Sequence, residues 1–143
     1  MIYDTVTDLD VLVTDCQSIV NDPDVVRVRQ AVRRMTVAMG LSLVEQTKLI
    51  TGASELARNT LVYGGGGEAF VESVRTRDRA GVRVRFVDSG PGIADVELAM
   101  TDGYTSGRGL GLGLGGTRRL VDLFEIDTVV GAGTRITILK WAR

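Results

Sequence analysis

The segment "GRGLGLGLGG", residues 107–116, constrains this 143-residue chain more than any other stretch. Glycine costs backbone entropy on folding, roughly 0.5–1 kcal/mol per site relative to alanine. Alternation with leucine suits a strand, yet one face of that strand would carry no side chains. A folded chain keeps such a segment where something approaches the main chain more closely than a methyl group permits. Gly109, Gly111 and Gly113, with Leu110 and Leu112 between them, lead into a helix predicted to start near Leu114. Unpaired backbone N–H groups therefore converge on a helix amino terminus, an arrangement that binds phosphate. It is not a P-loop, because no Gly-Lys-Ser/Thr follows. Nor is it a dinucleotide fingerprint, because no suitable strand precedes it and no acidic residue follows at the expected distance. The preceding Thr105, Ser106 and Arg108 read as part of a flexible lid, with Arg108 able to reach a terminal phosphate.

Composition removes other chemistries. The chain has no histidine, which excludes Ser-His-Asp and Cys-His couples, histidine metal sites and a histidine phosphoacceptor. Cys16 is the single cysteine, so no internal disulfide forms, and without a base or second thiol it reads as a small buried hydrophobe. A net charge of −1 argues against a nucleic-acid partner. No apolar run is long enough to span a membrane, and the amino terminus carries no secretory pattern, so the expected location is cytoplasmic. Residues 1–24 hold six aspartates and no Lys or Arg, leaving 12 acidic against 17 basic residues in the rest. That start reads as a solvated acidic arm; the sharper alternative is a docking or self-masking segment.

The predicted elements begin with a strand over residues 16–20, after an irregular acidic extension over 1–15. A helix over 22–39 follows, with Asp22 as cap, Pro23 in the first turn and Gly40 at its end. Ser42 opens a second helix, with Glu45 completing a capping box, and the glycine run 64–67 stops it. Strands are expected over 69–74 and 82–88, a short helix over 94–100, a helix over 114–124, and a terminal hairpin over 126–130 and 134–141. Hairpin strands with helices early and mid-chain predict a layered α+β two-layer sandwich, in one domain over 1–143.

Glu55 and Asn59, in "SELARN", lie four apart on the second helix and so on one face. A carboxylate and a carboxamide so placed could hold a hard cation through oxygen and polarise a nucleophile's proton. Gly52, one turn earlier, would leave room beside them for something bulky. In "VRVRFVD", Val82, Val84, Phe86 and Asp88 share a face, which carries Asp88 toward the core side of the sheet, where a lone charge is costly. A ligand amine would supply the missing donor, and the loop through Gly90 and Gly92 lets a planar group slide in beside it. Thr134 shares a face with Ile136 and Ile138, and its hydroxyl could bond the same ligand directly or through water.

Taken in order, "ELARN" (55–59), "DSGPG" (88–92), "GLGLG" (109–113) and "GT" (133–134) resemble the superfamily of gyrase, heat-shock chaperone ATPases, histidine-kinase catalytic domains and mismatch-repair ATPases. That resemblance implies a Bergerat ATP-binding fold, a mixed, mostly antiparallel sheet with helices on one face. It implies ATP between sheet and lid, Mg²⁺ on Asn59, the adenine amino group on Asp88, and Glu55 as general base. Gly90, Gly92 and Ile93 would join the nucleotide site. From about residue 16 to the end, "ELARNTLVYGGGG", "DSGPGIADVELAMTDGYTSGRGLGLGLGGTRRLVDLFEI" and "GTRITILKWAR" look like the RsbT-type serine/threonine kinases, the switch kinases of stressosomes. That family is cytoplasmic and phosphorylates partners with a STAS domain, then leaves them to activate a downstream output protein, typically a phosphatase. The four glycines at 64–67, a glycine-richer lid and the acidic extension depart from the family pattern. An anti-sigma factor kinase of the same fold, or a non-catalytic ATP-gated adaptor, are the alternatives.

Overall fold

Ser42 accepts a hydrogen bond from Glu45 N at 3.2 Å while the Glu45 carboxylate accepts from Ser42 N at 2.8 Å, so two otherwise orphaned donors start α2 (Leu43–Val62). At α1 (Asp22–Ala38), Asn21 rather than Asp22 takes the cap position, and the Asp24 carboxylate accepts from Val20 N and Asn21 N at 2.9 and 3.2 Å. Gly40, with φ of +78°, lets the chain turn sharply between these helices. The structure, a computed structural model, describes residues 9–101 and 113–143. Among these residues no helix is long and apolar enough to cross a membrane.

The strands are β1 (Asp10–Ile19), β2 (Gly67–Arg75), β3 (Ala80–Asp88), β4 (Leu123–Val129) and β5 (Gly133–Trp141), in the sheet order β1-β2-β3-β5-β4. The short helix α3 (Val96–Ala99) follows β3, and α4 (Gly113–Leu120) precedes β4. The two-layer α+β class holds. Every pairing between described strands is antiparallel, so the mixed component of the expected sheet is absent among them.

Among the boundaries that differ from expectation, two have a clear physical reason. β1 begins at Asp10, taking in residues 10–15 of the stretch read as irregular, because the β2 ladder pairs it from Asp10↔Arg75 to Ile19↔Gly67 with a bulge at Val11/Val13. As an edge strand it exposes Val11, Leu12 and Val13, so no clean alternation marks it, and it leaves Cys16 exposed rather than buried as expected. The last helix stops at Leu120 instead of running to residue 124. Phe124 pairs with Ile138 in the sheet, and burial on that face outweighs helix continuation.

The helices cover one face of the sheet. Val28, Ala31 and Val32 of α1 and Leu49, Ala53 and Leu56 of α2 bury against Val71, Val84, Phe86, Ile126 and Ile138. Each large side chain so buried contributes about 1.5–3 kcal/mol. On the other face Glu72 is 3% exposed, its carboxylate held by Arg83 Nε at 2.8 Å and Arg85 Nε at 3.0 Å. Burial pushes this carboxyl up, but the hydrogen bonds and charge of the two guanidiniums outweigh that and hold it below its ordinary value. Asp122 locks the end of β5 onto the turn before β4, accepting from Trp141 N and Arg143 Nη2, each at 2.8 Å.

Candidate functional site

A cavity of about 450 Å³ opens where α2, the end of β3, the loop after it, α3, α4 and the start of β5 meet. Glu55, Asn59, Asp88, Gly92, Ile93, Gly113 and Thr134 all line it, so residues far apart in sequence come to one place. Gly90 stands at its edge, its N–H donating to Asp88 Oδ1 at 2.9 Å. Thr105, Ser106, Arg108, Gly109, Leu110, Gly111 and Leu112 lie outside the described residues.

Glu55 is the most unusual group in the cavity. It is 1% exposed, and its Oε2 is buried with no hydrogen-bond partner. Among the described residues nothing hydrogen-bonds that oxygen, and a buried carboxyl oxygen left free beside a cavity is available to a bound group. Asn59, one turn on, adds a carboxamide on the same side of α2. Gly52 does not leave room for a ligand. A Cβ there would lie 3.2 Å from Thr117 Cγ2, so its missing side chain seats α4 against α2.

Asp88 ends β3 half-buried, paired in register with Gly67 and Thr134. Gly64 presses on its carboxylate: a Cβ at residue 64 would fall 2.5 Å from Asp88 Cγ. Gly90 in turn touches Gly64, so main chain packs on main chain around this carboxylate. Gly92 adopts φ of +76°, and a Cβ there would lie 2.5 Å from Val129 O. These glycines allow close approach of loop to hairpin, which Gly131 N completes by donating to Pro91 O at 2.8 Å.

Thr134 is tied in through a residue that sequence reasoning missed. Thr128 Oγ1 lies 2.9 Å from Thr134 Oγ1 and 3.2 Å from Gly133 O, and it accepts from Ile93 N at 2.9 Å. A hydroxyl has one proton. With Thr128's proton on Gly133 O, Thr134 donates to Thr128 and keeps acceptor lone pairs for the cavity. Tyr63, Thr60, Phe86 and Leu98 also line the cavity without having been singled out. The one available signal was Tyr63, four residues after Asn59 and so on its helix face. Gly113 opens α4 with φ of +64°, and its carbonyl accepts from Thr117 Oγ1 at 3.1 Å.

A carboxylate at a strand end, a free buried glutamate beside an asparagine on a helix, and a glycine-led helix around one cavity of this size fit a nucleotide. The family model for histidine kinase-, DNA gyrase B- and HSP90-like ATPases matches residues 44–142. The chain belongs to that family. Within it, the chain is 40% identical over 128 residues to serine/threonine-protein kinase RsbT of Bacillus subtilis, covering 90% of this chain and 96% of that protein. This ATPase-family chain is therefore a member of a serine/threonine-protein kinase group. It is also 29% identical over 119 residues to the anti-sigma F factor of Clostridium beijerinckii, covering 78% of this chain and 82% of that one. The crystal structure of the RsbU and RsbW domains of Rv1364c from Mycobacterium tuberculosis shares the fold. It gives a TM-score of 0.64 at 17% identity over 92% of this chain, which spans 33% of that protein's chain.

Proposed function

We propose that residues 1–143 act as one cytoplasmic ATPase-fold domain that transfers the γ-phosphoryl of ATP to a serine or threonine of a STAS-domain partner. Through that transfer it switches to a downstream output protein, a phosphatase or other effector. The observation that carries this reading is the buried, unpartnered Oε2 of Glu55 in the same cavity as Asn59 and Asp88.

The roles follow from the chemistry of each group. Asp88 accepts from the adenine amino group, held in place by Gly90 N–H, and Thr134 offers a second acceptor. Gly90, Gly92 and Ile93 let the purine edge lie against the loop. The amino end of α4 at Gly113, with Thr105, Ser106, Arg108 and Gly109 to Leu112 ahead of it, receives the phosphates. Glu55 takes the proton of the attacking hydroxyl. The new bond joins that oxygen to the γ-phosphorus, the bond to the β-phosphate bridging oxygen breaks, and ADP leaves with the electron pair.

The site fits Mg²⁺ carried in on the nucleotide. Among the described residues no three acidic, histidine or cysteine groups cluster to hold a resident metal, while the Asn59 carboxamide offers one oxygen beside Glu55. When bound, Mg²⁺ supplies charge neutralisation at the phosphate oxygens.

Incubation with labelled ATP and a STAS-domain protein tests the proposal. A phosphoprotein that disappears with Glu55→Ala is the expected result, and ATP binding with no transfer overturns the kinase reading in favour of an adaptor. The 29% identity to an anti-sigma F factor favours a second reading, sequestration of a sigma subunit by the same fold. Tight capture of a sigma subunit in a pull-down would support it.

A further inference from the structure

We propose that Arg58 reads the terminal phosphate of ATP and stabilises the phosphoryl in transfer, from the flank of α2 opposite the adenine. The inference rests on the nucleotide reading above.

Arg58 sits between Glu55 and Asn59, and the helix geometry separates their directions. Relative to Glu55, Asn59 and Tyr63 turn about 40° and 80° one way around α2, and Arg58 about 60° the other way. Glu55, Asn59, Thr60 and Tyr63 line the cavity, and Arg58 does not. It therefore lies outside that lining, on the side of Glu55 away from Asn59 and Tyr63.

Its surroundings are unusual. Arg58 is half-buried, with its Nε buried and without a hydrogen-bond partner. Among the described residues no carboxylate pairs with it, whereas Arg83, Arg85 and Arg143 each reach an acid. The nearest acid along the helix is Glu55, three residues away, a spacing at which opposite charges ordinarily join. Here they do not: Glu55 Oε2 and Arg58 Nε each remain buried and unpartnered. Two opposite charges three residues apart on one helix, each with an unmade hydrogen bond, leave both free to serve a third group. That group must present a proton to Glu55 and negative charge to Arg58.

A hydroxyl attacking a phosphoryl group does both at once. The hydroxyl proton points at the carboxylate, and the phosphoryl oxygens face the guanidinium, whose planar fork of donors matches phosphate. Reach agrees. Neighbouring Cβ atoms three residues apart on a helix lie about 5–6 Å from each other. A general base works within about 3 Å of the proton it takes. The phosphorus one bond beyond falls within the span of an extended arginine side chain. Charge on that phosphoryl then meets a fixed cation with no acid of its own to leave.

Calorimetric titration with Mg-ATP and Mg-ADP, without acceptor, tests this. Arg58→Ala should weaken ATP binding about tenfold or more and leave ADP binding within about twofold, because only ATP carries the phosphate Arg58 touches. Arg58→Lys, which keeps charge and loses the fork, should recover part of the difference. Retained ADP binding doubles as proof of folding, and Arg58→Gln gives the same reading where the alanine variant melts early. ATP affinity equal to that of the unaltered protein, with or without lost transfer, overturns the proposal, as does an equal loss of both nucleotides. An unaltered protein that binds neither nucleotide sinks the nucleotide reading instead.

Discussion

Gly64→Ala should cost nucleotide affinity without touching the nucleotide. The added Cβ would lie 2.5 Å from Asp88 Cγ, 2.6 Å from its Oδ2 and 2.7 Å from its Cβ. Ordinary contact begins near 3.4 Å, so roughly 0.9 Å must open. Residue 64 is not among the described glycines with positive φ, so alanine adds no backbone strain there. Nor can the chain retreat freely, because Gly90 also packs against Gly64. The Asp88 side chain is the part free to move, and moving it breaks the 2.9 Å bond from Gly90 N. The displaced carboxylate also leaves the adenine amino group, and a hydrogen bond to a charged group is worth about 1.5–3 kcal/mol, so the dissociation constant for ADP should rise about 10- to 150-fold. Overpacking of this kind costs about 1–3 kcal/mol of stability, a loss of several degrees in Tm. Calorimetry reads the first quantity and thermal unfolding the second. Asp88→Asn should match the affinity loss without the same loss of Tm, and the double variant should bind no worse than Asp88→Asn alone, since both act on one bond. ADP affinity unchanged in Gly64→Ala would refute the assignment of Asp88 to the adenine.

Further predictions concern the helix, the base and the sheet. Glu55→Ala should bind ATP within about threefold of the unaltered protein yet lose transfer by about 10²-fold or more, read by phosphoprotein yield. Ser42→Ala removes the hydroxyl that accepts from Glu45 N and should lower stability by about 1 kcal/mol in denaturant unfolding, with ADP affinity little changed, since the cap is far along α2 from Asn59. Glu72→Gln should destabilise by about 1–3 kcal/mol at neutral pH, because it takes one acceptor from two half-exposed arginines. The Glu72 carboxyl is held below its ordinary value of 4.5, so its contribution is present above that pH and is lost as pH falls through the lower folded-state value. The stability gap between Glu72→Gln and the unaltered protein should therefore shrink on acidification below about pH 4.5, measured by unfolding across a pH series.

Much of the site was legible in the sequence because it is written in local chemistry. Glycines mark close approach of main chain, "SELARN" puts two oxygen-bearing side chains on one helix face, and the alternation before Asp88 aims a carboxylate at the apolar side of a strand. Other parts were illegible because their signal lies in a neighbour. Thr128 matters only because folding sets its hydroxyl between Ile93 N and Thr134. Gly52 looked like space for a ligand, and only the packing of α4 shows that Thr117 fills it.

The sequence by itself determined the helix start at Ser42, the turn glycines and the residue types of the cavity, since capping, positive φ and side-chain alternation act over a few residues. Tertiary structure decided the rest. It made residues 10–15 a strand, because ladder hydrogen bonds come from β2, and it ended the last helix at Leu120, because Phe124 gains more by burial against the sheet. It also kept Glu55 and Arg58 apart. Three residues on a helix would ordinarily bring opposite charges together, yet in the folded chain a buried oxygen and a buried nitrogen remain unjoined.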